Sequence, residues 1–294
     1  MHYAIRYTSE YRYDGPVTDN LNALRVKPAT TSSQRCDEFH TRIDPEARVS
    51  RHLDYFGTEV LEFGIPTSHR ELAIDVRTRV VTSEPARPAA GPWESLRTTA
   101  YEDAAGEFAL PWQDQPALAD PQLRKLHEQI HAEDPLSYLR ALCELIPDRF
   151  EYRPGATYVG STVSDLLEVG AGVCQDFVHL ALSILRHHGI AARYVSGYLF
   201  ATHSKPSVES VEVDTHAWLE ALLPVGAGDA REPVWVGADP TNRRLAGETH
   251  VKIGHGRFYA DVPPVKGLYL GGATSELTAA VTMTRLDPQA GAKA

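Results

Sequence analysis

The hydrophobic period changes once along this chain, from two residues to 3.6, and that change limits the possible folds more than any single residue does. Alternation runs through Tyr3-Ala4-Ile5-Arg6-Tyr7, through Asn22-Ala23-Leu24-Arg25-Val26-Lys27 and through Leu72-Ala73-Ile74-Asp75-Val76-Arg77-Thr78-Arg79-Val80, so every second side chain shares a strand face. Gly15-Pro16, Lys27-Pro28 and Asp44-Pro45 read as punctuation between strands. Residues 1–83 therefore predict an N-terminal antiparallel β-sandwich. Residues 84–116 are rich in Pro, Ala and Gly without a sustained period, which predicts a linker or a wrapping loop.

From Asp120 the spacing is helical: Leu123, Leu126 and Ile130 recur at three and four residues, and Leu136, Leu139, Leu142 and Ile146 continue after Pro135. A second helix, residues 174–188, carries Phe177, Leu180, Ala181, Ile184 and Leu185 on one stripe and stops at Gly189, a natural left-handed cap. Strands are expected at 192–199, 217–223 and 234–238. Helices before an antiparallel sheet make residues 117–250 an α+β catalytic domain. Residues 251–294 read as a loop-rich stretch up to Gly272 and one strand, 277–285, packing back on the protein.

A chain of 294 residues can bury one large core or two small ones. Its net charge of −10 argues against a nucleic-acid partner, because neutralising phosphates takes clustered Lys and Arg. No stretch approaches the ~20 apolar residues of a membrane span, and the opening MHYAIRYTSEYRYDG lacks the apolar core of a signal peptide. No membrane partner and a cytoplasmic location are expected. Cys36, Cys143 and Cys174 are too few, and odd in number, for a disulfide framework, which fits free thiols in a reducing compartment.

Chemistry concentrates at Gly170-Ala171-Gly172-Val173-Cys174-Gln175-Asp176-Phe177. Two glycines permit a tight turn that sets Cys174 on the first turn of the apolar helix. Unpaired N–H groups and the positive helix end there stabilise a thiolate and are able to hold an oxyanion. For a lone cysteine the competing reading is a small apolar core residue. Asp176 is expected to interact with the same positive helix start.

Downstream, residues 216–223 and 234–239 read as two strands joined by a turn containing Pro224, Gly226 and Gly228. If Leu223 opposes Glu232, the register sets His216 directly opposite Asp239, on the same face with Cβ atoms ~5 Å apart. Nucleophile, proton shuttle and a group that fixes the shuttle's tautomer are what thiol catalysis requires. Read singly, His216 is a strand-start histidine facing solvent and Asp239 a turn residue before Pro240. Trp218 and Trp235, on the same hairpin, read as core or cleft wall. His179, His187 and His188 form no His-Glu-x-x-His arrangement and no Cys-x-x-Cys pair exists, so no metal is expected.

GVCQDFVHLALSILRHHGIAARYVSGYL, followed by DTHAWLEALLP and VWVGADPTN, resembles the transglutaminase-like superfamily of papain-like cysteine enzymes: a cysteine at a helix start, a His-Ala-Trp strand and an Asp-Pro-Thr strand end. The likeness extends upstream through residues 150–157. It also reaches Tyr11-Arg12-Tyr13, Leu24-Arg25-Val26-Lys27-Pro28 and Asp54-Tyr55-Phe56-Gly57, which resemble the β-rich N-terminal region of bacterial members. Only the segment around 85–115 carries little of it. The resemblance implies a papain-like core with Cys174 as nucleophile, His216 as base and Asp239 as orienting group. It also implies an aromatic oxyanion donor upstream of the cysteine, for which Tyr152 is the candidate. The implied activity is thiol-dependent acyl chemistry on a peptide or other amide substrate, with no cofactor. Hydrolysis is favoured because water is the default acceptor; a protein-glutamine transglutaminase or a non-catalytic binding module on the same fold are the alternatives.

Overall fold

The computed structural model describes residues 1–86, 89–111, 120–200, 210–213, 215–224 and 232–286; the expected turn residues Gly226 and Gly228 lie outside them. The chain begins with β1 (His2–Leu24), β2 (Gln34–Asp44), β3 (Ser50–Leu53), β4 (Glu59–Ile65) and β5 (His69–Thr82). Next come α1 (Thr99–Ala105), α2 (Pro121–Glu128), α3 (Pro135–Arg149), β6 (Glu151–Tyr152), α4 (Val163–Val169), β7 (Ala171–Gly172) and α5 (Cys174–His187). Strands β8 (Ala192–Leu199), β9 (Ser210–Val213), β10 (Thr215–Leu223), β11 (Val234–Asp239), β12 (Arg244–Leu245), β13 (His250–Gly256), β14 (Val265–Leu270) and β15 (Ser275–Leu286) follow. The fold is α+β with mostly antiparallel sheets.

Strand β1 organises the N-terminal unit because both of its halves are paired on both sides. Its first half lies between β5 and β15, from His2 onward, and its second half between β4 and β14. The register against β5 shifts between Arg12 and Val17, a bulge that bends the strand from one layer into the next. Gly15-Pro16 sits in that bend and does not end the strand, contrary to the sequence expectation. Proline has no N–H to give a ladder, so a bulge is where a sheet tolerates it. The resulting curled sheet closes over Tyr3, Tyr7, Leu24, Leu61, Ile74 and Val76.

The tail differs from the expected loop-rich stretch. Strand β13 begins at His250 and pairs with β8 in the helix-bearing unit, while β14 and β15 return to β1. Alternation is hard to see in β13 because Gly254 and Gly256 interrupt it and its register shifts between Lys252 and Gly254. The segment between the two units is not featureless either. Thr98 caps α1 by accepting the Tyr101 N–H, and the buried Tyr101 hydroxyl donates to the Leu222 carbonyl at 3.0 Å and accepts from the Ala191 N–H at 2.9 Å. Those two bonds strap the segment to β10 and to the start of β8.

In the second unit five strands lie in the order β12-β11-β10-β8-β13. Ala217, Leu219, Ala221 and Leu223 of β10, with Val236 and Ala238 of β11, share one core with Phe177, Leu180, Ala181, Ile184 and Leu185 of α5. Gly189, at φ +81°, ends that helix. The alternate residues of β10, namely His216, Trp218 and Glu220, occupy its other face. Gly197 of β8 pairs with His216, and a Cβ there would overlap the Trp218 ring and the Val251 carbonyl, so the indole lies across a gap that only glycine leaves.

Behind Trp218, Glu220 accepts from Arg193 Nε at 2.7 Å and from Lys252 Nζ at 2.6 Å, while the Arg193 guanidinium lies 4.0 Å from the Trp235 ring. Burial alone would raise the Glu220 carboxyl, but the Lys252 and Arg193 charges outweigh it and hold it at about 2. Gln34 of β2 exchanges side-chain hydrogen bonds with the Lys252 backbone at 2.7 and 2.8 Å, which ties the curled sheet to this charged cluster.

Candidate active site

The approach to Cys174 is built by glycines and closed by a carboxylate. Gly170, at φ +72°, caps α4, and β7 then pairs in parallel with β6, setting Tyr152 beside Gly172. A Cβ at Gly172 would come within 2.7 Å of Asp176 Oδ2, so the second glycine lets the first helical turn fold back on the chain. Asp176 Oδ2 accepts the Val173 N–H at 2.8 Å and the Thr157 hydroxyl at 2.6 Å. This carboxylate is thus used on the helix start, as expected from its position. The α5 ladder begins with the Asp176 and Phe177 N–H groups on the Val173 carbonyl. The N–H groups of Cys174 and Gln175 therefore stand ahead of it, beside the half-buried thiol.

His216 Nε2 lies 2.8 Å from Asp239 Oδ2. The Cys174 side chain also acts on the ring, and with Nε2 taken by Asp239 it is Nδ1 that is left for the sulfur. Burial favours the neutral imidazole, but the bond to Asp239, the neighbouring Cys174 sulfur and the charge of both outweigh it and push His216 up to about 10. Trp218 stacks over His216, with centroids 6.2 Å apart and planes 27° from parallel. The structure thus brings Cys174, His216 and Asp239 together.

It does so with a different register from the expected one. Leu223 opposes Val234 and Leu219 opposes Ala238, so Asp239 continues the ladder beside Trp218 and lies diagonal to His216. The difference from the Leu223–Glu232 pairing is two residues. An even slip keeps both side chains on one face, whereas a slip of one would have separated them.

Asp239 is fully buried and surrounded by donors. Oδ1 accepts the Thr241 and Asn242 N–H groups at 3.0 and 3.1 Å; Oδ2 accepts Asn242 Nδ2 at 2.8 Å and lies 3.1 Å from His250 Nε2. Burial works to raise its proton affinity, yet the bonds from His216 and His250 prevail and hold the carboxyl well below the usual carboxylate range. Asn242 and His250 were not singled out from the sequence. Asn242 had a signal, since Asp239-Pro240-Thr241-Asn242 is the composition of an Asx turn. His250 had none, being a lone histidine beyond the motif.

Tyr152 lies half-exposed on β6, with its ring edge-on to Phe177 at 6.2 Å. Among the other histidines, His179 Nε2 accepts the Tyr259 N–H, His187 Nδ1 meets the Ser183 carbonyl, and His188 stacks on Tyr138 at 4.4 Å. They do not converge on one another as a ligand set. The group that does converge is His216, Asp239 and His250, whose nearest nitrogens and carboxylate oxygen lie within 4.8 Å of one another. Two imidazole N–H groups bonded to one carboxylate oxygen account for that spacing without a cation.

Comparison with known proteins agrees with both halves of this description. The profile of the bacterial transglutaminase-like N-terminal region matches residues 3–81, and that of the transglutaminase-like superfamily matches residues 124–240. An uncharacterized protein of Mycobacterium leprae is 33% identical over 287 residues, covering 95% of this chain and 97% of its own. A protein-glutamine gamma-glutamyltransferase of Pseudomonas aeruginosa is 28% identical over 212 residues, 67% of this chain and 26% of its own length. The crystal structure of a candidate cysteine protease from Cytophaga hutchinsonii superposes with a TM-score of 0.74 at 22% identity, covering 98% of this chain and 91% of that one. The curled antiparallel sheet, the cysteine-bearing helix and the β10–β11 hairpin are thus the parts of one known architecture, and the chain belongs to the transglutaminase-like superfamily.

Proposed function

We propose that this protein is a cysteine-dependent amide hydrolase that works through a thioester on Cys174. The observation that carries the reading is the relay itself: a half-buried thiol at a helix start, beside an imidazole whose far nitrogen is held by a fully buried carboxylate. His216 stands beside the sulfur as the group that takes its proton. The thiolate attacks the amide carbonyl, and the N–H groups of Cys174 and Gln175 face the oxyanion that forms, with the Tyr152 hydroxyl as a candidate further donor. His216 then gives its proton to the leaving nitrogen as the C–N bond breaks. In the second half, neutral His216 takes a proton from water, the hydroxide adds to the thioester, and Cys174 departs as thiolate while His216 regains its charge. Asp239 keeps the ring in one orientation throughout.

A second reading, transfer of the acyl group to an amine, has the Pseudomonas aeruginosa glutamyltransferase in its favour. The two differ only in what resolves the thioester. The substrate in either case is a peptide or related amide. Free thiols at Cys36, Cys143 and Cys174 support a reducing, cytoplasmic setting; among the described residues no helix is long and apolar enough to cross a membrane.

The test is brief iodoacetamide treatment at pH 6 with intact mass and peptide mapping, on wild type and His216→Ala. Selective labelling of Cys174 that depends on His216 is the expected result. Labelling of Cys174 no faster than Cys36 would overturn the reading in favour of a binding module. Incubation of a glutamine peptide with a labelled primary amine then separates transfer from hydrolysis.

A further inference from the structure

His250 is the second imidazole on the Asp239 carboxylate, and its own hydrogen bonds fix what it does there. It opens β13, immediately after a tight turn in which the His250 N–H donates to the Gly247 carbonyl at 2.9 Å. The same turn directs the Gly247 N–H onto His250 Nδ1 at 3.2 Å. A nitrogen that accepts a hydrogen bond carries no proton, so a neutral ring has its hydrogen on Nε2. That Nε2 lies 3.1 Å from Asp239 Oδ2, the oxygen that also faces His216. Both partners are closed to solvent, with side-chain exposures of 2% for His250 and 0% for Asp239.

The neutral form is the one the surroundings favour. Burial is the largest influence and lowers His250 below its ordinary value; Asp239 opposes this, whereas Arg244 of β12 and His216 of β10 reinforce it. Glu220 and Lys252, which line the same 630 Å³ cavity as His250 between the two units, are bonded to each other. Glu84, Glu144, Glu248, Arg140 and Arg243, with Arg244, line a second cavity that His250 also borders. Trp218 lies edge-on to the ring at 5.2 Å.

We propose that His250 is a positioning residue of the thiol relay: its Nε2–H holds the Asp239 carboxylate so that Oδ2 faces His216. This rests on the hydrolase reading above, since it assigns a support to that site. An orienting carboxylate does its work only if it cannot swing. Asp239 Oδ1 is anchored by two backbone N–H groups, but Oδ2, the oxygen that matters, depends on side chains: Asn242 from its own turn and His250 from across the sheet. His250 is therefore the one of these donors that ties the relay to the β12–β13 connection and, through Gly247 and Glu248, to Glu84 ahead of the segment joining the two units.

Two measurements test this on the full chain. Long-range ¹⁵N–¹H correlation spectra of the histidines in the wild type should place His250 as the neutral Nε2–H tautomer near pH 7. An Nδ1–H tautomer or a charged ring would overturn the proposal, whatever the variants do. Iodoacetamide labelling of Cys174 at pH 6 should then slow about tenfold or more in His250→Leu and return to within about threefold of wild type in His250→Gln, whose amide restores a donor at similar reach. A purely packing role would leave Gln no better than Leu, which would overturn it. A wild type whose Cys174 is rapidly labelled while His250→Leu is indifferent removes this inference alone. A wild type with an unactivated Cys174 removes the hydrolase reading and this inference together.

Discussion

Asp239 lies diagonal to His216 across the β10–β11 ladder, two residues from facing it, and still brings Oδ2 to 2.8 Å from Nε2. Diagonal neighbours on one sheet face are within reach of long or aromatic side chains. The imidazole spans the extra distance, and Trp218, in the directly opposed place, is left free to cover the bond. The offset thus gives the carboxylate its dry environment as well as its partner.

Replacing Asp239 with Asn keeps the shape and removes the charge that His216 needs. The amide also turns an N–H toward one of the five donors now around the carboxylate. The rate of Cys174 labelling by iodoacetamide at pH 6 is expected to fall by about 10²–10⁴, a range typical of an orienting aspartate. A decrease below threefold would show that the carboxylate does not act on the thiol.

Stability should decline on the alkaline side because of His216. Its folded value, about 10, lies above the ordinary 6.5, so the proton it holds stabilises the fold fully below pH ~6.5. That contribution is lost as pH rises through about 10. The midpoint of thermal unfolding, followed between pH 6 and 10, is expected to fall less steeply in His216→Gln than in wild type. Parallel curves would contradict the assignment.

Glu220→Leu leaves Arg193 and Lys252 buried without their anion. The cost is expected at about 3–5 kcal/mol, as for other half-removed buried pairs. Urea unfolding measures it. Because Glu220 is held at about 2, the wild-type cluster should persist to strongly acid pH, and a variant as stable as wild type would mean that its charges are solvated.

Removal of residues 275–294 deletes β15, which pairs with β1 from His2 to Tyr13. The exposed ladder edge would promote association, so the truncated chain is expected to be insoluble or aggregated. A monodisperse truncated protein by size-exclusion chromatography would show that β1 does not need this neighbour.

Sequence patterning revealed those elements whose faces are sharply divided. Helix α5 was visible from its stripe and from Gly189, and β8, β10 and β11 from short apolar runs between polar breaks. The family resemblance rests chiefly on the same stretch, residues 172–242, with further likeness at residues 150–157 and in the N-terminal strands. What escaped was of another kind. Strand β1 looks interrupted at Gly15-Pro16 because a bend within a strand and a turn between strands use the same residues. Helix α4 has only seven residues, too few for a period to register. The hairpin register depended on a turn length that composition does not reveal, and the expected pairing was two residues out. His250 acquires meaning only from a turn that carries it across the sheet to Asp239, a tertiary relationship with no local signature.

The way β1 is shared has a consequence for synthesis. Its first half receives one neighbour from β5 early and the other from β15 only when residues 275–286 have been made. On the ribosome the first half of β1 must therefore wait, half-paired, until residues 275–286 have emerged, and its closure joins segments far apart in sequence. The helix-bearing unit with Cys174 lies in sequence between β1 and β15, so a nascent chain completes the pairing of β1 only after every residue of the thiol relay has been translated.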